Sequence, residues 1–233
     1  MTIQIMKTIL NMIDLRIMFH HPAIRAQNLH FSFATHEVVR GIDLDVPWGA
    51  VTAIVGSNGA GKSTLLELLA GVRTPSPGRV EIAGSVALVV QRPAAPSSLP
   101  LTVADAVAIG ASGPLRRRLP RREKPRVVCD ALERVGLAEL RAQPFDGLSG
   151  GQRQRVLIAQ GIVGGAQILL LDEPAAGLDS VSRTATRSIL ADEAARGTAV
   201  VCVTHDPEDL IAADRCFTVD AGRLANGATA ARS

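Results

Sequence analysis

Aromatic side chains are scarce: 3% of the 233 residues, with five Phe, one Trp and no Tyr. That excludes an antibody-like recognition surface and single-strand nucleic-acid binding by stacked bases. Cysteine is equally sparse. Cys129, Cys202 and Cys216 are odd in number and form no CxxC pair, which argues against a disulfide framework and for a reducing compartment. No stretch approaches the ~18 to 20 uninterrupted apolar residues of a membrane helix, so none is expected to span a bilayer. Charge of one sign does not dominate either: 25 basic side chains face 22 acidic ones, net +3, and nucleic acid is not an expected partner.

What is present is apolar material, 47% against 20% charged, enough to bury a core in one domain or in a domain carrying one sizeable insertion. Residues 1–22 differ from the rest. They hold all four Met and five Ile, and Gln4, Lys7, Thr8, Asn11 and Asp14 draw a narrow polar stripe on an otherwise apolar helix. No small-residue cleavage site follows, so a secretory signal reads poorly. Two readings stand for this atypical extension: a disordered or unselected upstream start, and a helix that docks on a membrane protein or the bilayer interface. A second local bias is the run Arg116, Arg117, Arg118, Arg121, Arg122, Lys124 and Arg126, opposed only by Glu123. It reads as a solvated loop, with attraction to an anionic leaflet as the alternative.

From residue 24 the pattern is orderly. Ile24–Phe33 and Gly41–Val46 alternate as half-buried strands, with a polar connection around Thr35–Glu37, which predicts a small antiparallel β layer. Val51–Val55 then feeds into Gly56-Ser57-Asn58-Gly59-Ala60-Gly61-Lys62-Ser63-Thr64 and a leucine-rich helix that Gly71 stops. Strand, GxxxxGK[ST] and helix in that order form a phosphate loop. Glycines let backbone N–H groups approach phosphate oxygens, and the helix N-terminus favours the anion. Lys62 is placed to reach the β and γ phosphates of a nucleotide, the Ser63 hydroxyl to coordinate Mg2+, and Thr64 to make a lesser contact.

The aliphatic run Ile168–Leu171 ends in Asp172 and Glu173, followed by Pro174. Such a buried strand delivers its carboxylates to the carboxyl edge of an open α/β sheet, where ligands gather. Asp172 suits the Mg2+ shell, and Glu173 suits polarising an attacking water.

Between these motifs stands Leu148-Ser149-Gly150-Gly151-Gln152, followed by helical periodicity over Arg153–Ile162. Over about residues 24–226 the chain resembles the ATP-binding subunit of an ATP-binding-cassette (ABC) transporter. The fold this implies is α/β: a P-loop NTPase core with a mostly parallel sheet, a small antiparallel β subdomain and an α-helical subdomain inserted at about residues 92–147, all within a domain of residues 23–233. By resemblance, two copies meet head to tail on ATP, and Leu148–Gln152 of one copy faces the nucleotide of the other. Gln91 matches the glutamine loop that touches the Mg2+ site, Asp179 the loop crossing the dimer interface, and His205 the switch histidine at the γ phosphate. Phe33 stands where the family stacks an aromatic on adenine; plain core is the other reading. Gln160-Gly161-Ile162-Val163 departs from the family's Arg-Ala-Leu stretch, which bears on packing after the signature helix.

The resemblance further implies an ATPase on the cytoplasmic face of the membrane, attached to a separate permease and served by a separate solute-binding protein. Gly84–Gln91 and Leu99–Val103 resemble the zinc and manganese importer branch, and the short remainder after His205 leads us to expect no appended regulatory domain. Alternatives are an exporter or lipoprotein-release ATPase, and a soluble ABC ATPase outside transport.

Overall fold

The computed structural model describes residues 21–90, 101–112, 120 and 122–230, with side chains to residue 225. Residues 1–20, Gln91 and Arg116, Arg117, Arg118 and Arg121 lie outside the described residues.

Alternating apolar side chains build β1 (Ile24–Phe33) and β2 (His36–Val46), which pair antiparallel, and β4 (Arg79–Ile82) joins the other side of β1. The hairpin is tighter than the sequence suggests. His36 and Glu37 belong to β2 rather than to the connection, because Phe33 pairs with His36, Ser32 with Glu37, and His30 Nδ1 lies 2.7 Å from Glu37 Oε1 across the strands.

The second sheet runs β5 (Val86–Val89), β6 (Ile168–Asp172), β7 (Ala199–Val203), β3 (Val51–Val55), β8 (Arg215–Asp220), β9 (Arg223–Ala230). Its strands are parallel apart from the antiparallel β8–β9 pair. All of β7 and the four aliphatics of β6 are buried, as expected of strands covered on both faces. Helix α1 (Lys62–Leu69) touches β2 and β4 of one sheet and β6 and β7 of the other. Leu65, Leu66, Leu68 and Leu69 are all buried there, so one short helix seals the space between the sheets.

A helical layer forms a second core. Helices α2 (Val103–Gly110) and α3 (Lys124–Arg134) both pack on α4 (Gly150–Val163). Gly110 is where α2 crosses closest: a Cβ there would stand 2.2 Å from the Gln160 carbonyl oxygen. The Gln160 amide in turn donates to the Ala106 carbonyl at 2.8 Å, and a Cβ on Gly161 would lie 2.9 Å from Leu169 Cδ2. The departure at Gln160-Gly161 is thus a packing solution that draws α4 against α2 on one side and β6 on the other. Two further α-helices are α5 (Ser180–Ala195) and α6 (Pro207–Ala212), and two short 3-10 turns, Ala138–Leu140 and Phe145–Gly147, lie between α3 and α4. Arg134 on α3 forks onto the buried Glu193 carboxylate of α5, with Nε 2.8 Å from Oε1, and so pins the helical layer to the core.

Candidate active site

Strands β6, β7 and β3 are neighbours, parallel and level: Asp172 pairs with Val203, and Ile54 pairs with Val203. Their carboxyl ends therefore release three segments side by side, namely Asp172-Glu173, Thr204-His205 and the loop from Gly56. This is the edge at which open α/β sheets bind ligands.

The loop of residues 56–61 is wedged between flanking backbones. A Cβ on Gly56 (φ 153°) would lie 2.1 Å from the Val219 carbonyl of β8, and one on Gly61 (φ 100°) 2.7 Å from the Val38 carbonyl of β2. Ser57, Asn58 and Gly59 at the rim are exposed, while Ala60 is buried beneath them. Lys62 is 7% exposed, and its ammonium donates to the carbonyl oxygens of Gly56 and Ser57, both at 2.9 Å. The cation is held inside the curl of the loop, at the start of α1, where unpaired amides already favour an anion. Ser63 is exposed at the same helix start.

Glu173 adopts φ 48°, a left-handed conformation that a non-glycine residue holds at a cost of roughly 1–3 kcal/mol. Its N–H donates to the Val203 carbonyl at 2.9 Å, which fixes the sharp turn after β6. Its Oε1 lies 3.7 Å from His205 Nδ1. The carboxylate is mostly shielded, whereas the imidazole is mostly exposed, at 24% and 69% side-chain accessibility. The structure therefore brings Glu173 and His205 together, with Asp172 one residue back on the strand.

The segment carrying His205 is unusually braced. Thr204 N–H donates to the Ile54 carbonyl at 3.1 Å, its hydroxyl donates to Asp209 Oδ2 at 2.6 Å and also accepts from Asp206 N–H at 3.1 Å. Asp206 caps α6 by accepting from Glu208 N–H at 2.9 Å, with Pro207 at the first helical position. From α5, Arg187 pairs with Asp206 at 3.1 Å and also with Glu208 and Asp209, while Arg183 reaches Asp206 at 3.3 Å. Burial pulls the Arg187 guanidinium pKa down, but its bonds to Asp209 and Glu208 outweigh that and hold it above its ordinary value. Sequence reasoning missed both arginines. Their i, i+4 spacing and the acid-rich Asp206–Asp209 were legible, but not that α5 would lie against α6.

Ser149 caps α4 in a reciprocal box: its hydroxyl accepts from Gln152 N–H at 3.2 Å, and its own N–H donates to Gln152 Oε1 at 2.9 Å. Leu148 is buried; Gly150 is exposed, and a Cβ there would lie 3.6 Å from Leu178 Cδ2. Gly151 admits no side chain, since a Cβ would stand 2.3 Å from Ser182 Oγ. Asp179 caps α5 by accepting from Ser182 N–H at 2.8 Å and from its hydroxyl at 2.9 Å. These bonds, the backbone one foremost, hold the Asp179 carboxyl below its ordinary range. The signature glycines thus rest on the segment that follows Glu173.

Phe33 is 45% exposed, so the reading of it as plain core does not hold. Its ring stands edge-on to Phe31, centroids 5.0 Å apart, and the Arg73 guanidinium lies 4.7 Å from the Phe33 centroid. Among the described residues no group of three or more His, Cys, Asp or Glu side chains could cage a metal ion. One carboxylate at Asp172 and one hydroxyl at Ser63 nonetheless fit Mg2+ arriving with phosphate oxygens, the usual way that ion is held. Gln91 is outside the described residues.

A family profile described as ABC transporter matches residues 39–176. The chain belongs to the ABC transporter family. This ABC protein is 38% identical over 211 residues to an aliphatic sulfonates import ATP-binding protein, SsuB, of Corynebacterium glutamicum, covering 89% of this chain and 84% of the relative. It is 35% identical over 193 residues to a molybdate import ATP-binding protein, MolC, of Haemophilus influenzae, covering 82% and 76%. Among solved structures, cbiO1 of Clostridium perfringens, part of the ABC transporter complex cbiONQ, superposes with a TM-score of 0.81 at 29% identity, covering 91% of this chain and 89% of that one. The protein is accordingly an ATP-binding ABC ATPase with a P-loop α/β core. The resemblance to the zinc and manganese branch is corrected: the relatives' names carry sulfonate and molybdate, and the short segments 84–91 and 99–103 were too generic a basis for choosing a solute.

Proposed function

We propose that this ABC ATPase powers a membrane importer for a small oxyanionic solute, an aliphatic sulfonate first and molybdate second. It works as a nucleotide-dependent pair beneath a separate permease on the cytoplasmic face, with a separate solute-binding protein. What supports the solute class is the naming of relatives at 38% and 35% identity. The observation that carries the engine is the alignment of three parallel strand ends bearing Lys62's loop, Asp172-Glu173 and His205.

In this reading the amides of residues 56–61 and the Lys62 ammonium take the β and γ phosphates, with Ser57, Asn58 and Gly59 at the rim and Thr64 as a lesser contact. Mg2+ would be held by Ser63, Asp172 and Gln91, and would supply neutralisation of phosphate charge. Phe33 offers adenine the ring face not covered by Arg73. Glu173 aligns a water whose oxygen attacks the γ phosphorus in line as the bond to the β–γ bridging oxygen breaks, releasing ADP and phosphate. His205 contacts the γ phosphate, and Ser149, Gly150 and Gly151 close on the nucleotide of the partner copy, with Asp179 at the interface.

Glu173→Gln keeps the shape and removes the charge. Turnover should fall about 100-fold or more, and the variant should elute as an ATP-bound dimer. Undiminished hydrolysis would refute the assignment. For the solute, the ATPase reconstituted with its permease should be stimulated by an aliphatic sulfonate and not by zinc or manganese.

A further inference from the structure

Arg187 sits on α5, four residues beyond Arg183, with only 17% of its side chain exposed. Its three guanidinium nitrogens go to three different carboxylates, Asp206, Glu208 and Asp209, all in the four residues after His205. Asp206 is His205's immediate neighbour and also takes Arg183. Asp209 reaches back to the Thr204 hydroxyl, which accepts from Asp206 N–H, so both residues flanking His205 are tied into the same knot. His205 itself is mostly exposed, and among the described residues its side chain meets only Glu173, at 3.7 Å. An exposed side chain so lightly held takes its direction from its backbone, and that backbone is fixed by α5. The same helix begins at the Asp179 cap and touches Gly151 through Ser182.

We infer that Arg187 is a positioning residue for His205: by gripping Asp206 and Asp209 from α5, it aims the imidazole at the Glu173 side of the site. This rests on the functional reading of His205 given above. A lysine cannot replace the grip, because one ammonium cannot span three carboxylates as a planar fork does.

The test is ATP turnover per folded molecule by the full chain, together with the His205 ring resonances, assigned by their loss in His205→Ala. Arg187→Met should lower kcat about tenfold with the KM for ATP changed less than about twofold, and should shift the His205 ring signals. Arg187→Lys, which keeps charge and packing should the Met variant not fold, should lose about threefold in kcat with the same spectral shift. His205→Ala separates the two layers of argument. If it is slow while the Arg187 variants turn over at the parent rate, or are slow with unmoved His205 signals, the inference fails alone. If His205→Ala turns over at the parent rate, the reading of His205 falls and the inference with it.

Discussion

At the scale of single residues, the decisive facts are close approaches. Gly151 has no room for a methyl group because Ser182 of α5 stands against it. Gly151→Ala should therefore destabilise the protein by about 1–3 kcal/mol and depress ATPase activity. Ser182→Gly in the same chain should recover part of both, measured by thermal unfolding and turnover. Asp179 gives a pH signature of the same contact. Its folded pKa lies below the ordinary value, so the stabilisation is present at neutral pH and is lost as pH falls through the folded value. The thermal midpoints of the parent and Asp179→Ala should differ by a constant amount above the ordinary aspartate range and draw together as pH falls through and below it.

At the scale of elements, the sequence was a good guide to strands and helices with a clear period. Val51–Val55, Ile168–Asp172 and the helix after Ser149 stand where the apolar pattern put them. Legibility failed where long-range pairing decided the outcome, as when cross-strand partners drew His36 and Glu37 into β2. It failed again at Phe33, because an apolar residue at a strand end looks the same in sequence whether it faces the core or stands beside Arg73. Ser149 caps its own helix and, under the proposed function, also closes on the partner copy's nucleotide. Its hydroxyl and the Gln152 side chain close the first turn of α4, so Ser149→Ala should cost about 1 kcal/mol of stability in addition to any loss of nucleotide-dependent pairing. Chemical denaturation and ATP-dependent dimerisation read the two effects separately.

At the scale of the whole molecule, the helical layer and the nucleotide core are joined by Arg134 and Glu193. The Glu193 side chain is 2% exposed, so Arg134→Ala leaves a buried carboxylate with, among the described residues, only the longer 3.6 Å contact to Arg196 and should cost about 2–4 kcal/mol, measured by denaturant unfolding. Replacing both partners by apolar residues of similar volume should cost far less. The comparison distinguishes a pair that holds the layers together from one whose removal merely strands a charge.

The amino-acid order alone determined the chemistry. The glycine loop with Lys62, the paired acids Asp172 and Glu173, and the signature at Ser149 are contiguous strings whose spacing carries their meaning, because each is built on one turn between one strand or helix and the next. Only the tertiary structure decided what these strings touch. The 3.7 Å approach of Glu173 and His205, the grip of Arg187 on the residues after His205, and the contact of Gly151 with Ser182 all join elements distant in the chain. Sequence period fixes which face of an element is apolar, whereas which elements become neighbours is set by the strand order of the sheet.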